Sequence, residues 1–154
     1  MSTSRAVRLR HPASLDNLRL EAAEVPEPGP GEIKVRIRGA SLNFRDGLVA
    51  NGFFPAEDGL IPLSDGAGEV VSVGEGAREF AVGDMVVSTF HPKWVDGHMD
   101  RADLDNAPGA PADGFACEEV TLPVQPAHRR GARQSLPQAV DDRPGDGDDP
   151  LGQT

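Results

Sequence analysis

Residues 32–38 read Glu-Ile-Lys-Val-Arg-Ile-Arg, a strict alternation of β-branched and charged side chains. A period of two fits the pleat of a strand and not the turn of a helix, so Ile33, Val35 and Ile37 share one face. Lys34, Arg36 and Arg38 then share the other, which predicts a half-buried antiparallel strand with its basic face in water. Val7 and Leu9 alternate with Arg8 and Arg10 in the same way, and Leu18, Leu20 and Ala22 alternate with Arg19 and Glu21. His11-Pro12 and Asp16-Asn17 punctuate the interval between those two runs. Residues 69–73, 85–90 and 115–122 are further β-rich runs, with Gly74, Gly76 and Gly83-Asp84 between the first two. Many short strands at close spacing predict a mainly β fold, a small barrel or sandwich, and not a parallel sheet with crossover helices. Helix is scarce. Residues 43–51 have room for a turn or two, interrupted by Gly47 and closed by Gly52.

Residues 95–113, polar and rich in Gly, Pro and Asp, predict a long surface loop. Beyond residue 124 the pattern collapses. Residues 125–154 hold four prolines, four glycines, five aspartates and four arginines, with Leu136, Val140 and Leu151 as the sizeable apolar side chains. Such a segment buries too little surface to offset the entropy of ordering it, so the expected organisation is a domain over 1–124 and a disordered tail over 125–154.

Charge narrows the function classes. With 15 Lys+Arg against 25 Asp+Glu, the formal net charge of −10 opposes a nucleic-acid partner, because neutralising phosphates needs clustered cations. The single cysteine, Cys117, excludes an internal disulfide and any zinc site built on several thiolates. No segment approaches the ~20 apolar residues of a membrane span, and the start lacks a signal-peptide stretch. A cytoplasmic protein with no membrane partner is the expectation. A length of 154 residues is too short for a two-domain enzyme.

Residues 61–76 are more specific: Ile-Pro-Leu-Ser-Asp-Gly-Ala-Gly-Glu-Val-Val-Ser-Val-Gly-Glu-Gly, followed by Phe80-Ala81-Val82-Gly83-Asp84-Met85-Val86. Pro28-Gly29-Pro30-Gly31-Glu32-Ile33 precedes the alternating strand, Ala40-Ser41-Leu42-Asn43-Phe44-Arg45-Asp46 follows it, and Gly114-Phe115-Ala116-Cys117-Glu118-Glu119-Val120 comes last. Together, over roughly residues 5 to 123, these resemble the N-terminal GroES-like domain of the medium-chain dehydrogenase/reductase superfamily. The likeness lies on the zinc-independent alcohol dehydrogenase and quinone oxidoreductase side. It implies a GroES-like, partly open β-barrel with one or two short helices, serving an NAD(P)H-dependent oxidoreductase that acts on a small carbonyl, alcohol or quinone substrate.

The resemblance also implies a site. Asn43 and Arg45 fall in the cleft beside substrate and nicotinamide, Asn43 hydrogen-bonding one of them and Arg45 orienting a polar group. Phe44, Asp46, Phe90 and Trp94 line the substrate pocket. Beside this stand readings with no chemistry in them. Asn43 serves equally as the N-cap of a helix with Arg45 solvated, and for Phe90 and Trp94 ordinary core packing is the favoured reading. Zinc is not expected. Asn43 stands where zinc-dependent relatives have a thiolate, and Leu63-Ser64-Asp65 replaces their Gly-His-Glu, leaving oxygen donors poorly suited to this ion.

Val73-Gly74-Glu75-Gly76 resembles the start of a dinucleotide-binding turn, but Glu79 replaces the third glycine and a strand follows within a few residues. A hairpin turn is the expectation there. In the superfamily a Rossmann domain follows the GroES-like domain and holds the coenzyme. Without it, no tight NAD(P)H binding and little or no turnover are expected, and an apolar domain interface would be bared for self-association. The end of the likeness near Leu122-Pro123 coincides with the change in composition, which predicts a shifted reading frame or other truncation as the tail's origin. A non-catalytic GroES-like binding module, and a half-enzyme acting in trans with a separate Rossmann domain, are the alternatives.

Overall fold

Strand β3 (Glu32–Ser41) is the spine of the molecule, pairing antiparallel with β4 (Asp65–Val73) on one side and with β6 (Glu119–Pro123) on the other. The short β5 (Met85–Val87) adds to β4 and completes a four-stranded sheet in the order β5-β4-β3-β6. A second sheet is the antiparallel pair of β1 (Ser2–Leu9) and β2 (Leu18–Val25). These relationships come from a computed structural model that describes residues 2–92, 94, 97, 98 and 106–124. The expected disorder over 125–154 lies outside the described residues.

The two sheets are stitched together through the approach to β6. The Val7 N–H donates to the Ala116 carbonyl at 2.8 Å, the Glu118 N–H to the Arg5 carbonyl at 2.9 Å, and the Ile37 N–H to the Glu118 carbonyl at 2.8 Å. Residues 116–118 therefore satisfy the free edge of β1 on one side and that of β3 on the other. Farther along β1, the Leu9 N–H donates to the Leu60 carbonyl at 2.8 Å. The result is the mainly β, GroES-like architecture expected from the sequence. The Gly74–Gly76 segment leads from β4 through tight turns into the antiparallel β5, a hairpin and not a phosphate-binding strand–turn–helix.

The core has three parts. Ile33, Val35, Val70 and Ala77 pack between β3, β4 and the following turn. Ala6 and Ala23 of the β1–β2 sheet pack against Ile61, with Ala116 and Cys117 beside them. Leu9, Val49, Leu60 and Ala110 bury the one α-helix of the described residues, α1 (Phe44–Ala50), against the end of β1.

Four expectations need correction. Leu20 is 64% exposed while Ala23 and Val25 are buried, so β2 turns its other face inward. The small Ala23 is what the close approach of Ala6 and Ile61 accommodates. Lys34 does not face water. Its stem is buried, and its Nζ reaches Glu27 Oε1 at 2.7 Å and Ser2 Oγ at 3.3 Å, because β1 and the β2–β3 connection cover that face of the sheet. The expected surface loop ends inside the protein, with Ala107 and Ala110 buried. Regular pairing at the last run begins at Glu119, since residues 115–118 are spent on β1 and on the 61–63 segment.

Candidate functional site

Helix α1 starts beside the point where β3 ends and β4 begins, and the site grows from that junction. Asn43 is the N-cap, with an extended backbone (φ −112°, ψ 158°), and the Asp46 carboxylate accepts its backbone N–H at 2.8 Å. This is the reciprocal arrangement that satisfies the first turn of a helix. The other Asp46 oxygen accepts the Ser64 backbone N–H at 3.2 Å and its hydroxyl at 3.3 Å. Asp46 is thus buried between helix and strand, and faces the interior and not an open pocket.

Above that buried carboxylate lies an exposed polar cluster. The Asn43 Nδ2 donates to Asp65 Oδ2 at 2.6 Å and to Ser41 Oγ at 3.2 Å, and the Ser41 hydroxyl donates to the same Asp65 oxygen at 3.4 Å. Pairing of Ser41 with Asp65 at the end of the β3–β4 ladder sets this geometry. Leu42 and Phe44, the sequence neighbours of Asn43, are each 85% exposed, and Phe53, beyond the far end of the seven-residue helix, is 76% exposed.

Arg45 points the other way. Its Nη1 donates to the Pro108 carbonyl at 3.4 Å and its Nη2 to the Ala110 carbonyl, while the guanidinium lies 5.9 Å from the Phe54 ring and 5.3 Å from the Phe90 ring. Both ring distances fall within the range of cation–π attraction. Arg45 therefore ties α1 to the 107–110 segment. Phe90 packs edge-on against His91 with centroids 4.5 Å apart, and the buried His91 Nδ1 has no hydrogen-bond partner among the described residues. Trp94 is half-exposed and donates from Nε1 to the Gly97 carbonyl at 3.3 Å.

The six residues singled out in the sequence thus divide. Asn43 and Phe44 reach the exposed face, Arg45 and Phe90 are joined in one cation–π contact, Asp46 lies beneath the junction, and Trp94 lies on the segment after Phe90. Asp65 and Ser41 belong to the cluster and were not singled out. No spacing announced them, because the alternation ends at Arg38 and the β3–β4 register shifts twice before Ser41 comes opposite Asp65.

A zinc ion does not fit this junction. The polar side chains are an amide, two hydroxyls and two carboxylates, and the Asn43 amide nitrogen, a donor, faces inward. Zinc favours thiolate and imidazole. Among the described residues no group of three His, Cys, Asp or Glu side chains is placed to hold a metal. Cys117, the one thiol, lies in the second core region, where burial foremost and then the Asp113 charge push its pKa up to about 11. Among the described residues no helix is long and apolar enough to cross a membrane.

Residues 29–130 match the alcohol dehydrogenase GroES-like domain. A zinc-type alcohol dehydrogenase-like protein of Schizosaccharomyces pombe is 37% identical over 115 residues, which are 73% of this chain and 33% of that protein. The cobalt- and zinc-bound thermostable alcohol dehydrogenase of Pyrobaculum aerophilum superposes with a TM-score of 0.67 at 31% identity, over 79% of this chain and 40% of that one. A crystal structure of an NAD-dependent alcohol dehydrogenase superposes with a TM-score of 0.64 at 34% identity, over 77% of this chain and 37% of its own. The chain thus spans about a third of the length of the yeast relative.

Proposed function

Because the chain belongs to the alcohol dehydrogenase GroES-like domain family, we propose that it is the substrate-side domain of an NAD(P)H-dependent oxidoreductase of the zinc-independent kind. The substrate class is a small alcohol, carbonyl compound or quinone. The observation that carries this reading is the exposed Ser41–Asn43–Asp65 cluster, with the exposed apolar side chains of Leu42 and Phe44 on either side of Asn43 in the chain. A few convergent polar groups in an apolar mouth are what a small-molecule cleft uses to orient its ligand.

In this reading the chain's own residues bind and orient the substrate, and the nicotinamide supplies or accepts the hydride. Leu42, Phe44 and Phe53 exclude water, and Asn43 fixes the substrate's oxygen function. Asp46 and Arg45 are positioning residues, the first holding Asn43 through its backbone N–H and the second holding the wall formed by Phe90. The coenzyme is held by a Rossmann-type domain of the same enzyme.

Three measurements on the purified chain test this. Titration with NADPH, followed by coenzyme fluorescence, is expected to give no saturable binding. Assays of NADPH-dependent reduction of an aldehyde and a quinone are expected to give no turnover, and turnover is expected once a relative's Rossmann domain is supplied in trans. Equilibration with zinc followed by gel filtration is expected to leave no stoichiometric metal. Steady turnover by the chain alone overturns the dependence on a second domain, and one tightly held zinc per chain overturns the zinc-independent assignment.

A further inference from the structure

We infer that the outer edge of β2 pairs with the same edge of a second copy of this chain, antiparallel and centred on Leu20, to make a two-fold dimer. Strand β1 spends the two sides of its backbone separately. Its Val7 and Leu9 N–H groups donate to Ala116 and Leu60, and its Arg5 carbonyl accepts from Glu118, so its odd-numbered residues face that side. The even-numbered residues therefore bond to β2, as the Arg10 N–H does to the Asn17 carbonyl at 3.0 Å. Arg8 stands opposite Arg19 and Ala6 opposite Glu21, so the odd residues of β2 take those bonds. Leu18, Leu20, Ala22 and Glu24 then turn their backbone groups outward. Among the described residues no further strand covers them. Leu20, Ala22 and Glu24 are exposed, and β2 has neither a proline nor a bulge to blunt this edge.

Charge selects the occupant and the register. The Arg19 guanidinium donates to the carbonyls of Asp16 at 2.6 Å and Leu18 at 2.9 Å and to Asn17 Oδ1 at 3.4 Å, none of them an anion. Its neighbour across the ladder is another cation, Arg8. Two residues on and on the same face, the Glu21 carboxylate has to share Arg10 with Asp58. An antiparallel second copy with Leu20 opposite Leu20 brings Arg19 of each chain against Glu21 of the other. Both contacts fall in non-hydrogen-bonded pairs, where facing side chains are closest. Leu18 then faces Ala22. Centring on Arg19 or on Glu21 sets like charges against each other, and centring on Ala22 puts Leu20 against Glu24. In the selected register the two Leu20 residues exchange both backbone hydrogen bonds, and each Ala22 N–H donates to the other copy's Leu18 carbonyl. The Leu18 N–H stays on the Leu15 carbonyl of its own chain. Residues 116–118 and 59–60 already occupy the far edge of β1, so this pairing closes at two chains.

Sedimentation equilibrium of the full 154-residue chain is expected to show a concentration-dependent monomer–dimer equilibrium. Leu20→Glu and Leu20→Lys each put like charges across the two-fold axis at an exposed position, and each should weaken dimerisation about tenfold. A one-to-one mixture of the two variants should recover the parent's association to within about threefold, because Glu then faces Lys. Amide exchange reads the same pairing without a variant, which keeps the inference testable if a variant does not fold. Protection of the Leu20 and Ala22 N–H groups should rise with concentration, while that of Glu24, beyond the paired stretch, should not. Protection of β3 and β4 reports folding in each variant. A chain that stays monomeric up to about 1 mM overturns the inference. So does a dimer that both folded variants leave unchanged, or a mixture as dissociated as its components. Equal protection of Leu20 and Ala22 at every dilution would mean that another segment of the same chain covers the edge, and overturns it too. Failure of the oxidoreductase reading would appear in the coenzyme assays and would leave this pairing standing.

Discussion

The Asp46 carboxylate and Ser64 meet across 18 residues of sequence, one oxygen accepting the Ser64 backbone N–H at 3.2 Å and its hydroxyl at 3.3 Å. The second oxygen holds the Asn43 N–H at 2.8 Å, so a single buried side chain joins the start of α1 to the entry of β4. Asp46→Ala strands the buried Ser64 N–H, leaves the Asn43 N–H without its acceptor and removes a helix cap, and is expected to lower stability by about 2–4 kcal/mol. Asp46→Asn retains one acceptor oxygen and should lose less. Urea unfolding of the two variants, read as midpoints at a common slope, checks the order.

Two glycines close to this junction should respond oppositely to the same change. Gly47 lies on the exposed side of α1 with nothing within 4 Å of an added Cβ. Gly47→Ala is expected to stabilise by about 0.5–1 kcal/mol, because alanine loses less backbone entropy in a helix. At Gly114 an added Cβ would stand 2.0 Å from the Leu63 carbonyl oxygen and 2.7 Å from that of Pro62. Those carbonyls accept the Phe115 and Ala116 N–H groups, so neither yields without breaking the pairing of residues 114–116 with the 61–63 segment. Gly114→Ala should destabilise by about 3 kcal/mol or fail to fold. Thermal unfolding of both variants against the parent decides it.

The alternation at residues 32–38 made β3 legible, since only a strand places Ile33 and Val35 together in the core. Turn residues at 74–76 made the β4–β5 hairpin legible for the same kind of local reason. What escaped local reading depends on neighbours distant in sequence. Leu20 is a better core residue than Ala23 by composition, yet the face of β2 that packs on Ala6 and Ile61 is the one carrying Ala23. Asp46 reads as a pocket acid until Ser64 is placed beside it, and Asp65 reads as part of a run that lacks zinc ligands until β3 brings Asn43 to it. The residues named from the sequence lie at the start of α1 and on the segment after β5. Which way each points was decided by hydrogen-bond partners that no spacing announces.

Leu63 is a sharper case. It has φ +75°, a left-handed conformation that a Cβ-bearing residue adopts at an expense of roughly 1–2 kcal/mol. Its peptide is held there by Gly109, whose Cβ position lies 2.8 Å from the Leu63 carbonyl carbon, and by the Phe115 N–H at 2.9 Å. Leu63→Gly removes that strain together with a half-buried side chain. Stability is expected to stay within about 0.5 kcal/mol of the parent or to rise by up to about 1 kcal/mol. A loss beyond about 2 kcal/mol in chemical denaturation would show that side-chain packing outweighs the backbone term.

Cys117 gives the alkaline limb of stability a specific source. Its thiol is pushed up to about 11, first by burial and then by the Asp113 charge, so the folded chain holds this proton more tightly than the unfolded one. The contribution is fully present below the unfolded thiol value of about 8.5 and is lost as pH rises from there through about 11. Urea midpoints should therefore fall over that window, and less so in Cys117→Ala. Iodoacetamide at pH ~8 should label native Cys117 on the order of a hundredfold more slowly than the denatured chain. Equal rates would place the thiol in water.

Arg45 tests whether the wall of the site and the helix move as one piece. Its guanidinium joins α1 to the Pro108 and Ala110 carbonyls and lies against Phe54 and Phe90. Arg45→Met keeps an apolar stem but loses the donors and the cation–π contacts, at an expected loss of about 1–2 kcal/mol. Arg45→Lys keeps the charge without the planar fork and should fall between the two. The local signature is more telling than the total. Amide exchange should quicken at residues 107–110 while Val35 and Val70, in the β3–β4 core, keep the parent's protection. Uniform acceleration across the domain would make Arg45 a general stabiliser, whereas acceleration confined to 107–110 makes it the hinge on which that wall is hung.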